Sequence, residues 1–289
     1  MTDIRFELSS GSNLQSYLDL YLRCFPPTPK YFLSYLDWLY VQNPAGQAFG
    51  IDALDGEQLI GQVIAVPGSF VLNGELRKGL VAVNVSVRPE YQGRFLFKKL
   101  GLRLCDEAAT IGADLILGIA NNAATPGWVR QMGFQLVAPL ETFISLGQLG
   151  LGSKWPEILQ HSALHRVWTA CELEWRMANP FNQLRAHYGN GTMSLTVLGA
   201  SKQPGIRVTA EIPTPADFSL ASETSRGSRL FPRLFLGLIP GKHSKSLSVT
   251  VPATLKPSPL NLVFKDLRDP GRPLDSRNCL INFLDFDIL

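Results

Sequence analysis

The sequence predicts an α/β fold on a mixed sheet, and predicts that architecture twice. Three observations carry this expectation. Helical stretches come first, then hairpin-punctuated strands, then a strand–helix–strand–helix run. The run Leu80 to Val87 is β-branched and nearly unbroken by polar residues, as a strand buried on both faces should be. A proline-stopped helix with an internal Trp occurs once in each half of the chain, at Trp38…Asn43-Pro44 and at Trp175…Asn179-Pro180.

The elements follow in order. Residues 13–25 place apolar side chains at helical spacing and end before Pro26-Pro27. A second helix over Tyr31 to Val41 stops at Asn43-Pro44, because the residue before proline is pushed out of helical angles. Strands are expected over 48–53, 58–66 and 68–72, with Asp55-Gly56 and Asn73-Gly74 as hairpin dipeptides. After Leu80 to Val87, Arg88-Pro89-Glu90-Tyr91-Gln92-Gly93 breaks the strand. One amphipathic helix then runs over Phe95 to Ile111 and is closed by Gly112. A strand over Asp114 to Ala120, a short helix around Trp128, Gly133 and a strand from Phe134 complete the first half.

Gly147, Gly150 and Gly152 mark the expected linker. The division is therefore 1–146, 147–154 and 155–289, and Trp155 to Ala178 reads as helix. The Trp-to-Asn spacing is five in one half and four in the other, read as a faded internal repeat; the alternative is coincidence between two proline-terminated helices. Beyond residue 200 the chain is rich in Pro, Ser and Gly, and Cys279 to Leu289 reads as a buried terminal strand.

Composition narrows the function. Of 289 residues, 45% are apolar and 18% charged, which excludes disorder, collagen and coiled coil. Twenty-seven basic residues against 24 acidic ones leave +3, so neither nucleic acid nor an anionic membrane is an expected partner. Met1 to Ser10 carries Asp3, Arg5 and Glu7 and does not read as a signal peptide, and Cys24, Cys105, Cys171 and Cys279 form no CxxC pair. Free buried thiols in a cytoplasmic protein are expected.

The stretch from Val85 to Leu100 holds the most chemistry. A buried strand turns through a short loop into a long helix, whose first N–H groups have no helical partner and face whatever lies above them. With the helix dipole they form an anion site suited to a pyrophosphate, to which Arg94, Lys98 and Lys99 add charge. A tight turn with solvated lysines is the plainer alternative.

Other patterns are weaker. His161 and His165 stand four apart without a third ligand, so ordinary surface histidines are preferred and no metal is expected. Gly241-Lys242 lacks the rest of a phosphate loop, no GxSxG is present, and Arg226, Arg229 and Arg233 read as a solvated loop.

The wording of the loop carries a resemblance. Pro89, Tyr91, Gly93, Leu96 and Phe97 match Pro-x-Tyr-Arg-Gly-Lys-Gly-Leu-Phe, with Gln92 and Arg94 as mild changes and Phe95 as the real departure. This resembles the acyl-CoA-binding motif of the GNAT acetyltransferase superfamily, in its tandem bacterial form. Gly118 through Asn121-Asn122 to Gly133-Phe134 resembles a second block of that family, and Trp38…Asn43-Pro44 a third. The resemblance covers about residues 5–146 and extends to the second half as a degenerate repeat.

It implies a mainly antiparallel sheet and a V-shaped opening between the strands ending at Val87 and Ala120. Pantetheine would bond the backbone of Asn84, Val85, Ser86 and Val87. The pyrophosphate would rest on Gln92, Gly93, Arg94, Phe95, Leu96, Phe97 and Lys98, and Asn121 would face the pantetheine arm. It also implies N-acyl transfer, expected to be acetyl, from acetyl-CoA or another acyl-CoA to the amine of a small molecule or amino sugar. The family's usual tyrosine acid falls on Val129, and a common strand carboxylate falls on Asn84. Asp285, Asp287 and Glu141 are the substitute carboxylates considered, each also readable as a surface or structural residue. The rival expectation is a catalytically silent module that binds CoA or a partner. The Phe95 ring is expected to leave the loop and find apolar cover.

Overall fold

The computed structural model describes residues 4–93, 95–188, 194–201, 205–220, 231–241, 248–251 and 259–286. Arg94, Asp287, Arg226, Arg229 and Lys242, singled out above, lie outside the described residues. Two compact units interleave along the chain. One comprises Met1–Ser69, Arg77–Val137 and Asn261–Pro273; the other comprises Phe70–Leu76, Ala138–Leu260 and Leu274–Leu289. The division expected at 147–154 is thus replaced by an exchange of segments.

The first unit begins with β1 (Arg5–Leu8), α1 (Leu14–Cys24) and α2 (Leu33–Tyr40). The strands β2 (Phe49–Asp55), β3 (Gln58–Leu72) and β4 (Glu75–Val87) follow as antiparallel neighbours, β2 pairing with both β1 and β3. Gly56 turns the first hairpin and Asn73-Gly74 the second, all with positive φ, as the dipeptides require. The two runs expected over 58–72 are one strand, since Pro67 is tolerated where the ladder needs no N–H, and its carbonyl accepts from Asn43 Nδ2 at 3.0 Å.

α3 (Leu96–Thr110) leads to β5 (Leu115–Ala120), which runs parallel to β4. Leu96, Leu100, Leu104 and Ala108 form the buried stripe of α3 and pack with Ile51, Val63, Ile116 and Val263. The outer edge of β5 is covered over its whole length by antiparallel β14 (Asn261–Asp266), which is followed in the sheet by β6 (Gln135–Pro139).

The second unit repeats this plan. α4 (Trp155–His161), β8 (Leu164–Val167) and α5 (Ala170–Met177) occupy the stretch read as one helix. The break has a local cause: Thr169 and Glu172 form a reciprocal capping box that starts a new helix. β9 (Arg185–Tyr188), β10 (Ser194–Ala200) and β11 (Arg207–Pro213) form an antiparallel meander, and β12 (Pro232–Leu238) lies parallel to β11 as β5 does to β4. β7 (Glu141–Leu146) covers the outer edge of β12 as β14 covers β5. β13 (Ser248–Thr250) pairs with β7, and β15 (Cys279–Asn282) pairs with both β12 and β8.

The repeated Asn-Pro has a common geometry. Asn43 Oδ1 accepts from Ala45 N at 3.1 Å, and Asn179 Oδ1 from Phe181 N at 2.8 Å, each buried after its helix. The architecture is therefore a mixed, mainly antiparallel sheet with flanking helices, present twice.

The glycine segment belongs to the second unit. Gly150 N and Leu151 N donate to the Glu211 carboxylate at 3.2 and 2.9 Å, as does Leu149 N, and Leu151 packs with Trp155, Ile158 and Leu280. Arg233 is not a solvated loop residue but a buried one on β12, since inward alternation along that strand overrides its charge. All four cysteines are free; Cys105 and Cys279 are buried, whereas Cys171 is exposed.

Candidate active site

The site is built where β4 and β5 part. Their pairing runs from Gly79/Leu115 to Ala82/Gly118 and stops, while β4 continues to Val87 and β5 to Ala120. The face of β4 turned to α3 also changes parity. Leu80 and Ala82 pack into that cluster, then Val85 and Val87, so an extra residue is accommodated between them. The diverging strands leave main-chain groups facing each other that no ladder satisfies.

The loop beyond β4 is strutted on both sides. Arg88 is buried; its Nε donates to Leu59 O at 2.7 Å and its backbone N–H to Ile60 O at 2.8 Å. Tyr91 Oη donates to Asp55 Oδ2 at 2.6 Å. Gln92 is used internally, its N–H bonding Pro89 O and its Nε2 bonding Val87 O at 3.2 Å. The anion cradle expected over Gln92 to Lys98 therefore excludes the Gln92 amide, because the short helical turn Pro89–Tyr91 consumes it.

Gly93 has φ +76°, and a Cβ there would meet nothing within 4 Å, so open space lies above the loop. Phe95 has φ 59° and ψ 14°, the left-handed conformation, and its side chain is 70% exposed. Contrary to expectation, the ring stays largely exposed instead of finding apolar cover among the described residues. Leu96 is buried, Phe97 half-buried, and Lys98 and Lys99 exposed on the first turn of α3.

The block after β5 closes the other side. Asn121 Oδ1 accepts from Ala124 N at 2.9 Å, and the Asn121 carbonyl accepts from Thr125 Oγ1 at 2.7 Å. Phe97 lies edge-on to Trp128, centroids 5.9 Å apart, and Trp128 edge-on to Phe134 at 4.7 Å. Trp128 is therefore a core residue, and Val129 beside it is an aliphatic group without acid function.

Asn84 anchors a polar chain that sequence reasoning missed. Its Nδ2 donates to Tyr40 Oη at 2.6 Å, and its Oδ1 accepts from Tyr31 Oη at 3.1 Å. Tyr40 and Tyr21 share a hydroxyl contact of 2.9 Å, and Tyr21 donates to Gln62 Oε1. Gln62 Nε2 donates to Asp52 Oδ1 at 2.7 Å, and Tyr17 donates to Asp52 Oδ2 at 2.8 Å. Burial holds Tyr17, Tyr21 and Tyr40 well above the usual phenol range, so all three stay neutral donors. Burial also raises the Asp52 carboxyl, partly countered by Ser9, Gln62 and Tyr17. Tyr17 and Tyr21 sit at helical spacing on α1 and Tyr40 on α2, where their sequence pattern is indistinguishable from core, and Tyr31 lies just before α2. Ser86 is buried, and among the described residues its hydroxyl has no hydrogen-bond partner.

The structure thus gathers Asn84, Val85, Ser86, Val87, Gln92, Gly93, Phe95, Leu96, Phe97, Lys98 and Asn121 in the first unit. Glu141 and Asp285 lie in the second. Asp285 is buried, its Oδ2 accepting from Asn282 N at 2.7 Å; burial raises its carboxyl to about 6 against the pull of Arg166, the Asn282 N–H and Arg176. His161 and His165 bond Glu157 O and Ser162 Oγ, and among the described residues no cluster suits a metal. Among the described residues, too, no helix is long and apolar enough to cross a membrane.

Comparison with known proteins agrees with this geometry. Residues 6–137 match the acetyltransferase (GNAT) domain model. A GCN5-related N-acetyltransferase from Anabaena variabilis superposes with a TM-score of 0.58 at 12% identity, covering 91% of this chain and 73% of its own. One from Kribbella flavida gives 0.57 at 15%, covering 93% and 72%, and Eis1 from Mycobacterium abscessus gives 0.58 at 12%, covering 92% and 74%. The sequence matches no curated protein. Residues 6–137 thus match the GNAT acetyltransferase domain, and over nine-tenths of its length the chain has the fold of GCN5-related N-acetyltransferases, a mixed sheet with flanking helices in each unit.

Proposed function

We propose that the protein is an acyl-CoA-dependent N-acyltransferase, moving an acyl group, acetyl first among the candidates, to the amine of a small molecule or amino sugar. One observation carries the reading: the strands part at Ala82/Gly118 directly before a strutted loop that enters α3. The residues fit the co-substrate. Asn84 to Val87 present a strand edge to an amide-bearing arm, the orphaned Ser86 hydroxyl offers one further bond, and Gly93 leaves room above the loop. The first turn of α3, with Lys98 and Lys99, suits a pyrophosphate.

Acyl-CoA supplies the thioester; the chain supplies position and protons. The described partners of Asn84 are both phenols, and the nearest carboxylate on its network, Asp52, is reached only through Tyr40, Tyr21 and Gln62, whose amide is no proton relay. The acceptor amine must then arrive neutral. Tyr31, half-buried and 3.1 Å from Asn84 Oδ1, replaces the tyrosine missing at Val129 as the group able to protonate the thiolate as the C–S bond breaks, and the proton shed by the amine on C–N bond formation restores the phenol.

The silent-module reading is favoured by the bulky, exposed Phe95 at the start of α3 and by Val129. Thermal-shift and thioester-consumption assays across acyl-CoAs and an amine panel separate the two. Stabilisation with turnover supports the enzyme, stabilisation without turnover supports the module, and neither response rejects both.

A further inference from the structure

The two units differ in what lies beside the diverging strands. In the second unit β11 and β12 pair at 207/233, 208/234 and 209/235 and then part, as β4 and β5 do. β7 takes one edge of β12 from Pro232 to Gly237, so β11 lies on the other edge. Beyond the last β11 pair, that same edge is taken by β15: Gly237 faces Asn282 and Leu238 faces Ile281, antiparallel. The corresponding edge of β5 lies past Gly118.

We infer that the second copy has replaced its acyl-CoA arm with the chain's own terminal strand, so that the protein binds a single acyl-CoA per chain. This rests on the reading that the first unit takes the pantetheine between β4 and β5.

Three further observations support it. A Cβ on Gly237 would stand 2.0 Å from Ile281 O and 2.9 Å from Asn282 Cα, so only glycine lets β15 approach this closely. Cys279, Leu280, Ile281 and Asn282 are all buried, and Phe283 and Leu284 continue the seal. The chain from the last residue of β11 reads Pro213-Thr214-Pro215-Ala216-Asp217, in which two residues lack an N–H and one is acidic. A peptide strand satisfies the parted edges with the same amide chemistry as pantetheine and needs no phosphate cradle.

The test uses the full chain with coenzyme A and acetyl-CoA. Titration calorimetry reads stoichiometry, and hydrogen exchange by mass spectrometry reads location. The expected result is one equivalent per chain, new protection over 84–87 and at the start of α3, and slow exchange over 279–282 that neither ligand changes. Two equivalents, or ligand-dependent protection over 210–213 and 236–238, would overturn the inference. Lys98→Glu with Lys99→Glu should abolish all binding, and a residual equivalent would also overturn it. Gly237→Ala should speed exchange over 279–282 at least tenfold; if that variant does not fold, the wild-type exchange rate decides. If no CoA binds any form, the reading of the first unit fails. The closure is then judged by wild-type exchange alone: slow over 279–282 upholds it, and tail-like rates refute it.

Discussion

Asn84 donates a 2.6 Å hydrogen bond to the hydroxyl of Tyr40, tying the parted end of β4 to the last turn of α2. The pair sits at one end of the buried chain that reaches Asp52 through Tyr21 and Gln62. Tyr40→Phe leaves the Asn84 donor and the Tyr21 hydroxyl short of a partner in the core. The expected loss is about 1–3 kcal/mol of unfolding free energy. Urea denaturation checks it, and an unchanged midpoint with an unchanged slope would show the network to be dispensable.

Tyr31 bears on chemistry more than on stability. Tyr31→Phe is expected to lower kcat about 10²-fold while leaving acetyl-CoA affinity within a factor of two, the size of a lost general acid. Because the amine must arrive neutral, log kcat/KM in wild type should rise with pH toward the pKa of the acceptor. A profile that breaks near pH 5 instead would point to a carboxylate base.

Phe95 holds a left-handed conformation that a residue with a Cβ adopts at a cost of roughly 1–2 kcal/mol. Its exposed ring returns little of that by burial. Phe95→Gly should therefore stabilise the fold, by about 0.5 kcal/mol once the greater freedom of unfolded glycine, roughly 0.5–1 kcal/mol, is subtracted. It should also tighten acetyl-CoA by about 1 kcal/mol, or fivefold, by removing a Cβ from the backbone that approaches the phosphates. Melting curves and calorimetry on the same variant check the two effects separately.

Asp285 gives a pH dependence with a definite sign. Its folded pKa, about 6, exceeds the ordinary value of 3.8, so its contribution to stability is full below 3.8 and is lost as pH rises through about 6. Glu211 and Asp52 are raised by burial as well and act in the same direction. His165 and His187, lowered by burial, oppose them as pH falls below their ordinary range. The clean measurement is thus a difference: between pH 7.5 and 5, wild type should gain stability relative to Asp285→Asn. Parallel curves would place the Asp285 carboxyl at its ordinary pKa.

The interleaved units predict that no single cut yields a folded half. Residues 1–146 lack β14, whose Leu262, Val263 and Phe264 are all buried and cover the outer edge of β5. That fragment should aggregate through the exposed edge, and co-expression with 147–289 should restore soluble material. A monomeric, cooperatively melting 1–146 would contradict this.

Local chemistry makes much of the fold legible in the sequence alone. Asn43-Pro44, Asp55-Gly56 and Asn73-Gly74 act through backbone angles their own residues impose, and helices α1, α2 and α3 fall within three residues of expectation. The strand–loop–helix of the site is equally local, so Val85 to Lys98 can be named from sequence. Pairing partners are another matter. β5 meets β14 and β12 meets β7 across sequence gaps of some 90 to 150 residues, and an apolar strand carries no mark of which edge it will join. The left-handed Phe95, the burial of Arg233 and the tyrosine chain behind Asn84 are hidden for the same reason. Each depends on neighbours that only the completed sheet brings within hydrogen-bond or van der Waals reach.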